Sequence, residues 1–144
     1  MDFEFDATTR PKFDDLAVVQ AGLRAHNEKF TGKSPALIAV FLREPETKKI
    51  RGGIAGFLVG PSAMLDWLWV DESLRGQGYG AQLMREIEKL IVSLKCDMIT
   101  LNTFTFQAPG FYPKLGYQLL AQIPNFMLGN TKYYYRKHLV YSEL

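Results

Sequence analysis

One cysteine in 144 residues, Cys96, excludes an internal disulfide framework and any Cys-rich metal site. It sits among apolar neighbours where a helix gives way to a strand, and reads as a small buried hydrophobe. The two histidines, His26 and His138, lie far apart with no partner at ligand spacing, so no metal is expected. Charge of one sign is also missing. Seventeen basic residues against fifteen acidic leave a net +2 spread along the chain, and no basic run marks a nucleic-acid surface. No apolar run reaches the length of a membrane span; the best window, Ile54 to Val70, is broken by glycines, Pro61 and Asp66. Met1-Asp2-Phe3-Glu4-Phe5-Asp6 carries acids where a signal peptide would be basic and then apolar. A soluble, cytoplasmic protein without a membrane partner is expected. Repeats, linkers and low-complexity tracts are absent.

What is present is an ordinary globular composition, 47% hydrophobic, at a length that suits one domain over residues 1–144. Phe3 to Asp6 alternates as a short strand. Pro11 suits the start of a helix whose Leu16, Val19, Gln20, Leu23 and Phe30 share a face, and Gly32-Lys33-Ser34-Pro35 ends it. Ala36 to Arg43 and Ile50 to Val59 form a hairpin around Pro45-Glu46-Thr47-Lys48-Lys49. Gly52, Gly53 and Gly56 in its returning strand imply close packing across it. Ala63 to Val70 reads as a strand, and Ala81 to Lys95 as a helix with the stripe Leu83, Met84, Ile87, Leu90, Ile91 and Leu94. Asp97 to Phe106 is a strand, Ala108 to Leu115 a helical turn, Gly116 to Ile123 a strand, Pro124 to Asn130 a loop, and Lys132 to Val140 a last aromatic strand. A meander followed by a strand–helix–strand crossover predicts an α/β (α+β) fold: a mixed, mostly antiparallel sheet flanked by helices.

The chemistry concentrates in Leu74-Arg75-Gly76-Gln77-Gly78-Tyr79-Gly80. Alternate glycines clear side chains from a strand-to-helix turn. The helix that follows offers unbonded N–H groups and the positive end of its dipole, which together suit a phosphate or pyrophosphate. A bare tight turn is the alternative. A dinucleotide fold would need Gly-x-Gly-x-x-Gly and an acid ending the next strand, and Asn102 to Phe106 offers none.

The pattern resembles the GNAT superfamily of acetyl-CoA-dependent N-acetyltransferases, from about Ala36 to Val140. Arg75, Gly78 and Gly80 match the family's Arg/Gln-x-x-Gly-x-Gly/Ala signature. The run Ala108-Pro109-Gly110-Phe111-Tyr112-Pro113-Lys114-Leu115-Gly116-Tyr117 is similar to its Ala-x-x-x-Tyr-x-Lys-Leu-Gly-Phe/Tyr segment. The resemblance implies a central splayed strand pair, acetyl-CoA as cosubstrate, no metal, and direct transfer to an amine. It places the pyrophosphate on Arg75, Gly76, Gln77, Gly78, Tyr79 and Gly80, and the pantetheine arm beside free backbone groups at Trp69 and Val70. It also makes Tyr112 the acid that protonates the departing thiolate, with a homodimer as the family's precedent.

Pro113 departs from the helix-compatible residue usual there; it lacks an N–H and biases Tyr112 away from helical angles. The attacking amine must lose a proton, and Asp66, read as sharing a face with Met64 and Leu68, is the candidate base, with a water chain or a structural ion pair as alternatives. Lys132-Tyr133-Tyr134-Tyr135-Arg136 reads as core and rim packing, and Phe126 and Met127 as pocket or dimer contacts. The acceptor is expected to be a small molecule. A module that senses acyl-CoA without turnover is the alternative function.

Overall fold

Six of the seven expected strands form, and they join into one sheet. A computed structural model describes residues 1–33 and 35–139. The chain divides into two compact units, 1–34 and 35–144. Ser34 and Val140, expected at the ends of a helical region and a strand, lie outside the described residues.

In the first unit the alternation Phe3 to Asp6 forms no strand, and the chain is irregular up to residue 12. Two apolar positions without a partner ladder are too few to hold one. Helix α1 (Phe13–Thr31) begins after Pro11, carries Asp14 and Asp15 where its dipole favours anions, and ends as Gly32 turns left-handed and donates to the Glu28 carbonyl.

The second unit holds β1 (Ala36–Arg43), β2 (Ile50–Val59), β3 (Ser62–Val70), α2 (Tyr79–Ser93), β4 (Met98–Phe104), α3 (Phe111–Lys114), β5 (Gln118–Met127) and β6 (Asn130–His138). The sheet order is β1-β2-β3-β4-β6-β5, antiparallel except for β3 beside β4, which α2 links. The mixed, mostly antiparallel architecture is the one expected. Strand β5 runs past its expected end at Ile123 to Met127, because the Pro124–Asn130 segment is mostly strand. Its chain reversal shrinks to Leu128-Gly129, both at positive φ, the pair of angles that a two-residue hairpin turn requires. Pro124 is tolerated because β5 is an edge strand.

One face of the sheet carries Ile38, Ile54, Ala63, Leu65, Ile99, Leu101 and Tyr135. It packs on Leu83, Met84, Ile87 and Ile91 of α2 and on Tyr112 and Tyr117. Each fully buried aliphatic side chain contributes about 1.5–3 kcal/mol, so this layer fixes α2 and the loop before it. Leu90 packs at its margin, while Leu94, at the helix end, stays exposed. Cys96 is buried, as its neighbours imply. No helix among the described residues is long and apolar enough to cross a membrane.

Candidate active site

The site is made by a mismatch between strands. At Ala55 the partner is Trp67, yet at Gly56 it is Leu65, which leaves Asp66 as an extra residue in β3. Only glycine permits the close approach: a Cβ at Gly56 would lie 2.0 Å from the Met64 carbonyl oxygen and 2.8 Å from Leu65 Cα. The bulge reverses the side-chain alternation. Met64 pairs with Phe57 and Leu68 with buried Ile54, so they take opposite faces. The reading that Met64, Asp66 and Leu68 share a face is thereby overturned.

Beyond the bulge the strands part. The parallel ladder joins Ser62–Leu65 to Met98–Leu101 and stops there, leaving the ends of β3 and β4 splayed. A cleft of about 660 Å³ opens in the split. Antiparallel pairing alternates, and the Asp71 N–H donates to Arg51 O at 2.8 Å on the β2 side. Trp69 therefore spends its backbone groups on Gly53, while Leu68 and Val70 turn theirs toward the gap. Consistent with this, the Val70 carbonyl accepts from Arg75 Nε at 2.9 Å. The Trp69 indole is half-exposed and lines the cleft.

The glycine turn closes one end. Gly76 and Gly78 adopt φ of 76° and 85°, and a Cβ on either would meet nothing within 4 Å. Gly78 is the N-cap of α2 and offers no side chain to the first-turn N–H groups. Gly80 lies against the Phe111 ring, 3.6 Å from where its Cβ would be. The turn is braced from β2. Asp71 accepts from Ser73 N (3.0 Å), Ser73 Oγ (2.6 Å) and Arg51 Nε (3.4 Å); Arg51 also pairs with Glu44 and donates to Ser73 Oγ at 2.7 Å. The Ser73 donors, with Arg51 behind them, hold the Asp71 carboxyl down at about 2.

Tyr112 also lines the cleft and is only 8% exposed. Its ring meets Phe111 and Tyr117 edge-on, at 5.2 and 5.9 Å, and Tyr135 at 5.7 Å. Burial, and then the neighbouring Tyr135, raise its hydroxyl above the ordinary phenol value, so it is protonated at neutral pH. Pro113 does not unwind this segment. It falls at the third position of α3, inside the first turn, where a missing N–H costs no helical bond.

The cleft thus gathers Asp66, Trp69, Val70, Arg75, Gly76, Gly78, Tyr79, Gly80 and Tyr112 from the sequence reading. Gln77 is not among its lining residues; its side chain donates to Ser73 O at 3.4 Å. Asp66 makes no ion pair among the described residues. Leu68, Asn102, Thr103, Phe106 and Phe111 also line the cleft and had not been singled out. The bulge that re-aims Leu68 and the point where the parallel ladder stops depend on pairing register, which one strand's sequence does not carry. No cluster of three or more His, Cys, Asp or Glu positioned for a metal occurs among the described residues.

A split parallel pair beside a glycine-rich helix start, with a buried tyrosine in the same cleft, fits the acetyltransferase reading of the sequence. The comparisons agree. The family model described as acetyltransferase (GNAT) domain matches residues 36–119, and the chain belongs to that family. Over 100 residues, 69% of this chain and 70% of the relative, it is 36% identical to blasticidin-S acetyltransferase of Streptomyces morookaense. The crystal structure of an acetyltransferase from Bacillus cereus ATCC 14579 superposes with a TM-score of 0.79 at 28% identity, covering 93% of this chain and 98% of that one. An aminoglycoside 6'-N-acetyltransferase solved with coenzyme A shares the fold, with a TM-score of 0.64 at 20% identity over 90% of this chain and 83% of its own.

Proposed function

We propose that this acetyltransferase moves the acetyl group of acetyl-CoA directly to an amine of a small molecule. The observation that carries the reading is the split between β3 and β4, with the backbone of Leu68 and the Val70 N–H turned toward the gap and buried, protonated Tyr112 lining the same cleft. In this reading the uncapped N–H groups of Tyr79, Gly80 and Ala81 and the open turn at Gly76 and Gly78 receive the pyrophosphate. Arg75 braces the turn through Val70 while adding positive charge beside it. The pantetheine amides pair along Val70.

The neutral amine attacks the thioester carbonyl carbon. The Leu68 N–H stabilises the oxygen that becomes negative, and a preorganised donor of this kind is worth about 3–4 kcal/mol. Collapse of the tetrahedral intermediate breaks the C–S bond, and Tyr112 gives its hydroxyl proton to the leaving thiolate. The amine's proton passes to Asp66, directly or through water; among the described residues Asp66 has no ion-pair partner to occupy it. The relative's name, blasticidin-S acetyltransferase, supports a small-molecule acceptor. The non-catalytic sensor reading rested on Pro113 and on an unproven base; the place of Pro113 in the first turn of α3 removes the first of these motives.

Calorimetric titration with acetyl-CoA of wild type and of Gly78→Glu tests the cofactor half. The glutamate would put an anion where the pyrophosphate belongs. Heat of binding from wild type and none from the folded variant is expected; no binding to wild type would sink the reading. A panel of amines that includes blasticidin S, followed by CoA release, then tests the acceptor half.

A further inference from the structure

Behind Tyr112 lies a polar cluster that none of the chemistry above uses. Glu88 of α2 accepts from the Tyr117 hydroxyl at 2.9 Å and from Lys137 Nζ of β6 at 3.0 and 3.2 Å. Lys137 Nζ donates further to the carbonyl of Leu115, the C-cap of α3, at 2.8 Å. The two charged side chains are only 17% and 25% exposed, so the group is largely withdrawn from water. Burying a charge pair in this way is costly and adds little to stability by itself, which makes a purely stabilising role a poor explanation.

The cluster grips the segment that carries Tyr112. The Tyr112 carbonyl accepts from Leu115 N at 2.9 Å and from Tyr117 N at 3.2 Å. The Tyr117 ring stands edge-on to the Tyr112 ring. Gly116, at φ +89°, lets the Lys137 stem pass, with Lys137 Cε 3.5 Å from where a Cβ would be. The same Glu88 belongs to the helix that begins at the glycine turn, so the cluster ties the Tyr112 segment to that helix.

We propose that Glu88, Lys137 and Tyr117 are positioning residues that hold the Tyr112 hydroxyl toward the cleft in register with the helix that starts at the glycine turn. The inference rests on Tyr112 being the acid in the proposed transfer. Lys137 fixes the end of α3 from β6, Tyr117 fixes the ring beside Tyr112, and Glu88 ties both to α2. Loosening any one lets α3 rock while the glycine turn stays in place, so the loss falls on turnover and not on cofactor affinity.

The test compares full-length wild type, Lys137→Met, Lys137→Arg and Tyr117→Phe, each with and without Tyr112→Phe. Tyr117→Phe keeps the ring and deletes one hydroxyl, and it stands in if Lys137→Met fails to fold. Crystal structures are expected to show the Tyr112 hydroxyl displaced or spread by about 1 Å in Lys137→Met or Tyr117→Phe, a shift sufficient to cost about ten- to a hundredfold in rate. With the fastest amine of the panel, kcat falls about tenfold, KM for acetyl-CoA stays within about twofold, and Lys137→Arg restores part of the loss. In the Tyr112→Phe background the same changes alter kcat by less than about twofold, because the aimed group is gone. An unmoved Tyr112 hydroxyl, or equal losses in both backgrounds, overturns the proposal. If Tyr112→Phe leaves kcat unchanged, the acid role falls instead, and the crystallographic comparison alone decides whether the cluster holds the ring.

Discussion

Tyr112 and Gly56 show how single side chains decide this site. A thiolate leaves readily once a proton is supplied, and Tyr112, buried among Phe111, Tyr117 and Tyr135, keeps its proton because desolvation raises its affinity for it. Replacing Tyr112 by phenylalanine keeps the ring contacts, so the fold should survive. Turnover should drop about 100-fold with KM for acetyl-CoA within about twofold; a loss of KM alone would place the residue in binding. With Tyr112 as the proposed acid, the same burial sets the pH profile. An acid whose pKa lies above its usual value stays protonated past pH ~10, while the amine substrate gains reactivity as it loses its proton. The rate should climb with pH to a plateau that has no falling limb below pH ~10. A falling limb near pH 8, measured by CoA release at saturating acetyl-CoA, would identify a different acid.

At the scale of elements, the β2–β3 pair matters most, since its bulge falls at the residue where β3 parts from β4. A methyl at Gly56 would sit 2.0 Å from the Met64 carbonyl oxygen, so β2 and β3 must separate or slip to admit it. Gly56→Ala should cost about 3 kcal/mol, the upper end of the range for overpacking, read as a drop in denaturation midpoint. Residual folded protein should bind acetyl-CoA weakly, because the splay moves with the bulge. A midpoint unchanged within error would mean the strands already have room. The glycines across this strand were legible in the sequence as sites of close approach, and so were the hairpin, the stripe on α2 and the glycine turn, since each depends on residues near in the chain. Phe3 to Asp6 was read as a strand on alternation alone, and no ladder partner bears it out. Strand β5 was read as ending at Ile123, before a Pro124–Asn130 loop, but at a sheet edge the strand continues through Pro124. The bulge at Asp66 and the gap-facing backbone of Leu68 were not legible, for both arise from register between strands.

Across the whole molecule, the acidic and phenolic groups held at altered affinities set the pH range in which the fold persists. Asp71 has its carboxyl lowered from 3.8 to about 2 by the Ser73 and Arg51 hydrogen bonds. A group bound more weakly to its proton when folded stabilises the fold above its unfolded value and loses that contribution as pH falls from about 4 toward 2. Tyr112, Tyr117 and Tyr135 run the opposite way. Burial is the leading cause in each, and Glu88 adds to it at Tyr117, so all three hold their protons more tightly when folded. Their contribution is intact below pH ~10 and drains as pH rises beyond it, where the unfolded chain ionises first. Melting temperature plotted against pH should therefore be flat near neutrality, with an acid limb below about 4 and an alkaline limb above about 10. Asp71→Asn should lower the plateau and flatten the acid limb, leaving the alkaline limb unchanged. Tyr117→Phe should do the reverse, because it removes the phenol tied to Glu88 and leaves the β2 brace intact. Changes in the wrong limb would mean that the Asp71 brace and the tyrosine cluster do not act as separate supports, one for the glycine turn and one for the segment that carries Tyr112.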